Sequence, residues 1–226
     1  MFLAHINSLQ ASIFSSLAIL SLLLTFVMLG SHWLKNYVYA FAAQSWLIAA
    51  LSASVGYFSG YRELYAIAVL TALFRGLVLP WLLMRIVSRL NVKREIHSVL
   101  QSSSSLVIGA CVVMFAFVIA NHMSRQQQGA AHVVILALTI MLSMKFLGFL
   151  MLSVRDEAVS QILALLVLEN GIFLGSQILV PGMPLLIEIV ILFDLLIVVA
   201  CFGMLVRFLV VHAGTTSSRE LNRLVG

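Results

Sequence analysis

Charge is what this sequence has least of. Only 13 of its 226 residues are Lys or Arg and 8 are Asp or Glu, while 62% are hydrophobic. A soluble domain needs roughly a quarter charged residues to cover its surface, so this composition excludes one. Cysteine is almost absent as well. Cys111 and Cys201 stand alone in apolar surroundings, without the paired spacing of a zinc or redox motif, and read as small buried side chains. No glycine-rich phosphate cradle or nucleophile elbow occurs. The six histidines lie at run ends or in loops, not paired inside a run as a membrane haem requires. No independent active site and no site for a metal or cofactor is legible.

What the chain does have is long apolar runs. Seven are long enough to span a bilayer at about 1.5 Å of rise per residue: 11–30, 37–58, 64–87, 105–120, 130–152, 158–180 and 184–211. The fourth is the shortest. Residues 1–10 carry no Lys or Arg, so the first run is read as a spanning helix and not a secretory leader. Backbone groups in hydrocarbon must pair internally, and the lengths fit helices. The fold class expected is all-α, a polytopic integral membrane protein.

The basic residues set an orientation. Lys35, Arg85, Arg89, Lys93, Arg94, Arg155, Arg207, Arg219 and Arg223 fall in the odd connections or the C-terminal tail, against Arg62 and Arg125 in the even ones. That bias places the odd connections and the C-terminus in the cytoplasm, with the N-terminus outside. It also accounts for the net charge of +5 without nucleic acid. The three tryptophans and Tyr37, Tyr39, Tyr57, Tyr61 and Tyr65 are read as interfacial anchors. The polar stretch after Arg85 divides the chain into a three-helix unit (1–88), a basic cytoplasmic linker (89–104), a four-helix unit (105–211) and a tail (212–226). The linker is either a docking segment for a soluble partner or an ordinary topology-setting loop.

Five charged residues remain inside apolar runs: Arg75, Lys145, Glu169, Glu188 and Asp194. A charge at the bilayer centre costs at least about 2.5–3.5 kcal/mol on insertion scales, so such residues face protein or water and mark pathways. Glu169, in LVLENG, and Asp194, in IEIVILFD, sit near the midplane on runs joined by the turn PGMP. Burial and a nearby cation shift a carboxyl group in opposite directions, which lets membrane carboxylates titrate near neutrality, as a proton relay requires. Arg75 lies mid-run and must meet a carboxylate, a carbonyl or water. Pro80, five residues on, leaves the Gly76 carbonyl without its helical donor. Lys145 is nearer the cytoplasmic end, and either snorkels or joins the relay. Glu188 lies about 9 Å outward of Asp194 and about 120° around the helix, as a mouth group or an interfacial residue.

The segments LFRGLVLPWLL and LENG, the acidic residue six before Asp194, and the tail HAGTTSSRELNRLVG together resemble the component E membrane subunit of hydrogenase 4, from complexes of the formate-hydrogenlyase type. The resemblance runs from about Thr71 to the C-terminus. Over its last three helices that family is similar to the K subunit of bacterial complex I and the C subunit of multisubunit cation/proton antiporters. By position Glu169 matches the first of two relay glutamates there, and Asp194 the second, one methylene shorter.

The resemblance implies a non-catalytic subunit carrying part of a mid-membrane proton relay in a complex-I-like or group 4 hydrogenase-like assembly. Such an assembly couples redox chemistry to cation pumping in a bacterial or archaeal cytoplasmic membrane. The partners implied are large antiporter-like subunits and a membrane-anchor subunit. Nickel–iron and iron–sulfur centres would sit only in those partner subunits. Two other readings stay open: a scaffold with static buried ion pairs, and a stand-alone ion transporter, which the absence of an internal repeat makes less attractive.

Overall fold

The computed structural model describes residues 8–90, 102–125 and 132–179, together with residues 189, 193, 200 and 204. The turn PGMP, Glu188 and Asp194 lie outside the described residues, as does most of the seventh run. The elements in order are α1 (Ser8–Gly30), α2 (Leu34–Ser59), α3 (Glu63–Leu73), a π turn (Phe74–Val78), α4 (Leu79–Leu90), α5 (Ser102–Arg125), α6 (His132–Val154) and α7 (Ala158–Leu179). Six spans among them are long and apolar enough to cross a membrane, with α3, the π turn and the start of α4 acting as one span, Glu63–Arg85.

The fourth apolar run is longer as a helix than its hydropathy suggests. α5 extends through the serines at its start and through Asn121 to Arg125 at its end. Serine and asparagine interrupt an apolar count without interrupting a helix.

The centre of the bundle is a ring in which α1 packs on α2, α2 on α7, α7 on α6 and α6 on α1. α5 lies outside this ring against α6 and α1, and α3 with the π turn lies against α2. α7 is accordingly the most buried span and α5 the least. The outward face of α5 carries Val107, Met114, Phe115 and Val118, and Cys111 is exposed there too. Cys111 is thus not a core residue. A thiol is apolar enough to sit on a lipid-facing helix surface.

Glycines bring α6 and α7 together. A Cβ on Gly171 would stand 2.7 Å from Met144 Cβ, and one on Gly148 would stand 2.9 Å from Leu168 Cβ; Gly175 packs against Met141. Gly171 and Gly175 are four apart on one face of α7, the small-residue spacing that lets membrane helices approach backbone to backbone.

Two apolar clusters fill the ring, one at each end. One gathers Met28, Leu34, Tyr37, Phe41, Leu83, Leu147, Met151 and Leu163 around the α1–α2 and α6–α7 connections. The other gathers Phe14, Ile48, Leu51, Leu64, Ile67, Ile140 and Phe173 at the opposite end. Leu79 and Leu83 of α4 belong to the first cluster, so α4 reaches the end of the bundle that holds the first and fifth connections.

Two expected anchors are not at the surface boundary. Tyr37 is fully buried, and Trp46 lies at the middle of α2. The other aromatics named above, Trp33, Trp81, Tyr39, Tyr57, Tyr61 and Tyr65, are exposed.

Adding a methyl at Gly171 forces two backbones apart, since Met144 Cβ and the Met141 carbonyl are not the ends of flexible side chains. Gly171→Ala is expected to destabilise the purified chain by about 1–3 kcal/mol. A denaturant titration in detergent micelles checks this, with Gly30→Ala, whose added Cβ meets only Leu106 side-chain atoms at 3.6 Å or beyond, expected to be near neutral.

Candidate functional site

Between the two apolar clusters each helix of the ring, and α3, changes character. α1 passes from Phe14 and Ala18 through Ser21 and Thr25 to Met28; α2 passes from Phe41 through Gln44 and Ser45 to Ile48. The third span passes from Ile67 through Thr71 and Arg75 to Leu79. On α6 Ser143 lies between Ile140 and Leu147, and on α7 Asn170 lies between Val167 and Phe173. All these polar residues are buried. Together they make a polar layer at mid-depth, sandwiched between apolar cores.

Arg75 enters the layer from the π turn. Pro80 offers no N–H to the Gly76 carbonyl, and just upstream the helix shifts register, with the Leu79 N–H bonding the Phe74 carbonyl five residues back. The wider turn buries both Arg75 and Gly76. The guanidinium is fully buried, lies 5.1 Å from the centre of the Phe173 ring, and donates from Nη1 to Oδ1 of Asn170 at 2.8 Å. Of the partners expected for Arg75, a carboxylate, a carbonyl or water, the bond to Asn170 supplies a carbonyl, that of a side-chain amide.

From Arg75 the bonds run across the bundle. Asn170 Nδ2 donates to Gln44 Oε1 at 3.1 Å. Gln44 Nε2 donates to Thr25 Oγ1 at 2.8 Å and to the Ser21 carbonyl at 3.0 Å, and Thr25 Oγ1 donates to the same carbonyl at 3.1 Å. Every donor in this row points away from Arg75. The amide dipoles are aligned head to tail behind the cation, an arrangement in which each bond polarises the next. On the other side of the layer Gln177 of α7 donates to Ser52 of α2.

The titratable candidates lie at the same level. Glu169 precedes Asn170 on α7, is half-buried, and has its Oε2 atom fully shielded. Lys145 is half-buried on α6 where Gly171 crosses it; a Cβ on Gly171 would stand 3.4 Å from the Lys145 backbone nitrogen. The structure thus brings Arg75, Lys145 and Glu169 to one depth. Glu188 and Asp194 fall outside the described residues. Among the described residues no three His, Cys, Asp or Glu side chains converge as metal ligands would.

Sequence reasoning misses Asn170 and Gln44. The signal for Asn170 is its place beside Glu169 in LENG; for Gln44 it is an amide in the middle of an apolar run. Arg155, expected in a solvated cytoplasmic connection, is only 3% exposed. Its Nη2 donates to the carbonyls of Leu29 at 2.8 Å, Ser31 at 3.1 Å and Met28 at 3.3 Å, gathering the carbonyls at and just beyond the end of α1. Its guanidinium stacks 5.8 Å from the Tyr37 ring, whose hydroxyl reaches Met151 Sδ at 3.1 Å. Burial draws the Arg155 pKa below the ordinary arginine value, against the opposing pull of Tyr37 and Glu157.

Asn170→Leu removes the acceptor of a charge-assisted bond and should destabilise the chain by about 1.5–3 kcal/mol. Gln44→Leu should cost about 0.6–1.7 kcal/mol, the range of interhelical hydrogen bonds in membranes. Denaturant titrations of the two single variants and the double variant check this, with non-additivity as the sign of one connected row. At the far cluster, Arg155→Lys should lower the melting temperature nearly as much as Arg155→Ala. All three carbonyls are reached from one nitrogen, Nη2, at the tip of the longer side chain, and a lysine ammonium neither extends that far nor lies flat against the Tyr37 ring.

No family model and no solved structure matches the chain. The uncharacterized protein Rv0085 of Mycobacterium tuberculosis (strain ATCC 25618 / H37Rv) is 31% identical to it over 173 residues, which cover 76% of this chain and 77% of that protein. Identity at that level over most of both chains places the bundle in a family: this protein belongs to the same family as the uncharacterized mycobacterial protein Rv0085.

Proposed function

We propose that this chain is a non-catalytic membrane subunit of a complex-I-like or group 4 hydrogenase-like assembly, and that its polar layer is a segment of a proton relay running in the plane of the membrane. The observation that carries the reading is the hydrogen-bonded row from Arg75 through Asn170 and Gln44 to Thr25, which crosses α7, α2 and α1 at one depth. Interhelical hydrogen bonds add little stability in a bilayer, so stability alone does not account for the row.

The residues divide the work by their chemistry. A guanidinium holds its charge and amides do not titrate, so Arg75, Asn170 and Gln44 supply a fixed, oriented positive field. In this reading Glu169 and Lys145 are the relay groups of the described residues, and the resemblance adds Asp194 as the second relay carboxylate with Glu188 toward the outer side. The complex would lie in a bacterial or archaeal cytoplasmic membrane, with the N-terminus outside, seven spans, and a K-subunit-like C-terminal end. Large antiporter-like subunits and a membrane anchor would flank it, and nickel–iron and iron–sulfur centres would belong to those partners.

One observation favours a scaffold instead: Arg75 bonds a neutral amide, and the amide row is saturated in the manner of a static brace. The two readings part on the same variants. For a relay, Glu169→Gln and Asp194→Asn leave the complex intact on native gels and abolish proton uptake coupled to turnover in membrane vesicles. For a scaffold, the complex falls apart. Undiminished proton uptake in both single variants would falsify the relay.

A further inference from the structure

The contact line between α6 and α7 is fixed by named atoms. Met141, Met144 and Gly148 of α6 meet Gly175, Gly171 and Leu168 of α7 in that order, so the two helices run antiparallel. Two neighbours come in on one flank of this pair. α2 reaches α7 through Asn170 and Gln177, and α5 reaches α6 where Gly109 lies against Leu147. Lys145 and Glu169 are on the other flank. Lys145 stands about 70° round α6 from the contact line and Glu169 about 130° round α7, in the same rotational sense. In antiparallel helices that sense leads to one side of the pair. Leu147 and Asn170 stand about 90° and 130° round in the opposite sense.

The two residues also share a depth. A Cβ on Gly171 would stand 3.4 Å from the Lys145 backbone nitrogen, and Glu169 is two residues, about 3 Å, along the axis from Gly171. With the axes about 8 Å apart, as glycines at a crossing allow, the Cα atoms of Lys145 and Glu169 are about 9 Å apart. A lysine and a glutamate span that gap end to end. Both side chains are half-buried. Among the described residues Lys145 makes no hydrogen bond or ion pair. An ammonium at this depth is costly until an acceptor meets it. The other described carboxylates, Glu63, Asp156 and Glu157, lie at helix ends or in a connection, so Glu169 is the one placed to answer it.

We propose that Lys145 and Glu169 pair directly on this flank, ammonium to carboxylate, and that the proton of the relay passes between Nζ of one and the carboxylate of the other. The pairing stands on the contact geometry alone; the proton transfer rests on the relay reading and names two groups that exchange the proton. Transfer turns the ammonium and carboxylate into a neutral amine and a carboxylic acid, with no change in net charge. Lysine suits this step and arginine does not, because a guanidinium holds its proton. Gly148 and Gly171 thereby serve the site as well as the packing, since they hold the helices close enough for one lysine to reach across.

The test uses the purified full-length chain in detergent micelles and dicyclohexylcarbodiimide, an apolar reagent that activates carboxyl groups. An activated Glu169 acylates only an amine in contact with it, and its lost oxygen leaves on the urea. Peptide mapping by mass spectrometry should find residues 145 and 169 joined by an amide bond, lost in Lys145→Arg and in Glu169→Gln. Lys145 joined instead to Glu188 or Asp194, or Glu169 carrying the reagent with Lys145 unjoined, would overturn the proposal. Exchange of the charges tests the pair without the reagent. Lys145→Glu and Glu169→Lys should each lower the melting temperature, and the double exchange should recover most of the loss; no recovery overturns the pair even where Glu169 does not react. In membranes holding the intact complex, Lys145→Arg should assemble normally and lose coupled proton uptake. A missing cross-link with Glu169→Gln still uncoupled removes the pair and leaves the relay standing. A cross-link with normal uptake in both Lys145→Arg and Glu169→Gln removes the proton transfer and the relay, and leaves a static pair.

Discussion

A guanidinium with no exposure at all has to be held by something, and here it is held by an amide on another helix. The Arg75–Asn170 bond is the constraint from which much of the bundle follows. Asn170 can present its oxygen to Arg75 only if its nitrogen has an acceptor, which Gln44 supplies; Gln44 in turn needs Thr25 and the Ser21 carbonyl. Each demand is met from a different helix, so a single buried charge specifies the mutual rotation of the third span, α7, α2 and α1. Apolar packing alone would leave those rotations much less defined, because Leu and Val surfaces slide past one another at little cost.

The polar layer divides the protein into two apolar halves without weakening it into two domains. Each half has its own cluster, but every helix of the ring passes through both. Close packing of α6 on α7 at Gly148, Gly171 and Gly175 then sets how narrow the layer is where Lys145 and Glu169 sit.

Much of this is legible in the sequence, for unequal reasons. The spans are legible because a soluble fold has little use for apolar runs of bilayer length. Arg75, Lys145 and Glu169 stand out because a charge in such a run is expensive. Gln44 and Asn170 do not, because neutral amides are common in membrane helices, and hydropathy cannot tell one that bonds a partner from one that faces a loop. Tyr37 and Trp46 escape for a related reason: neither proximity to a run's end nor aromatic character is enough to put a side chain at the interface. Arg155 escapes because a basic residue in a short connection reads as a topology signal, whether it is solvated or folded inward. The π turn has a trace in Pro80, but a missing donor does not say whether a helix will kink, break or change register.

The folded-in arginine has a consequence for how the protein is made. The carbonyls at the end of α1 are near residue 30, and the side chain that satisfies them is more than a hundred residues later, at position 155. Arg75 likewise waits for an amide ninety-five residues downstream. During synthesis the first helical hairpin therefore enters the membrane with its closing turn incomplete, and the third span follows before its amide partner exists. The N-terminal half remains a provisional assembly until α6 and α7 arrive, and those two helices act as the keystone that locks the earlier ones in place.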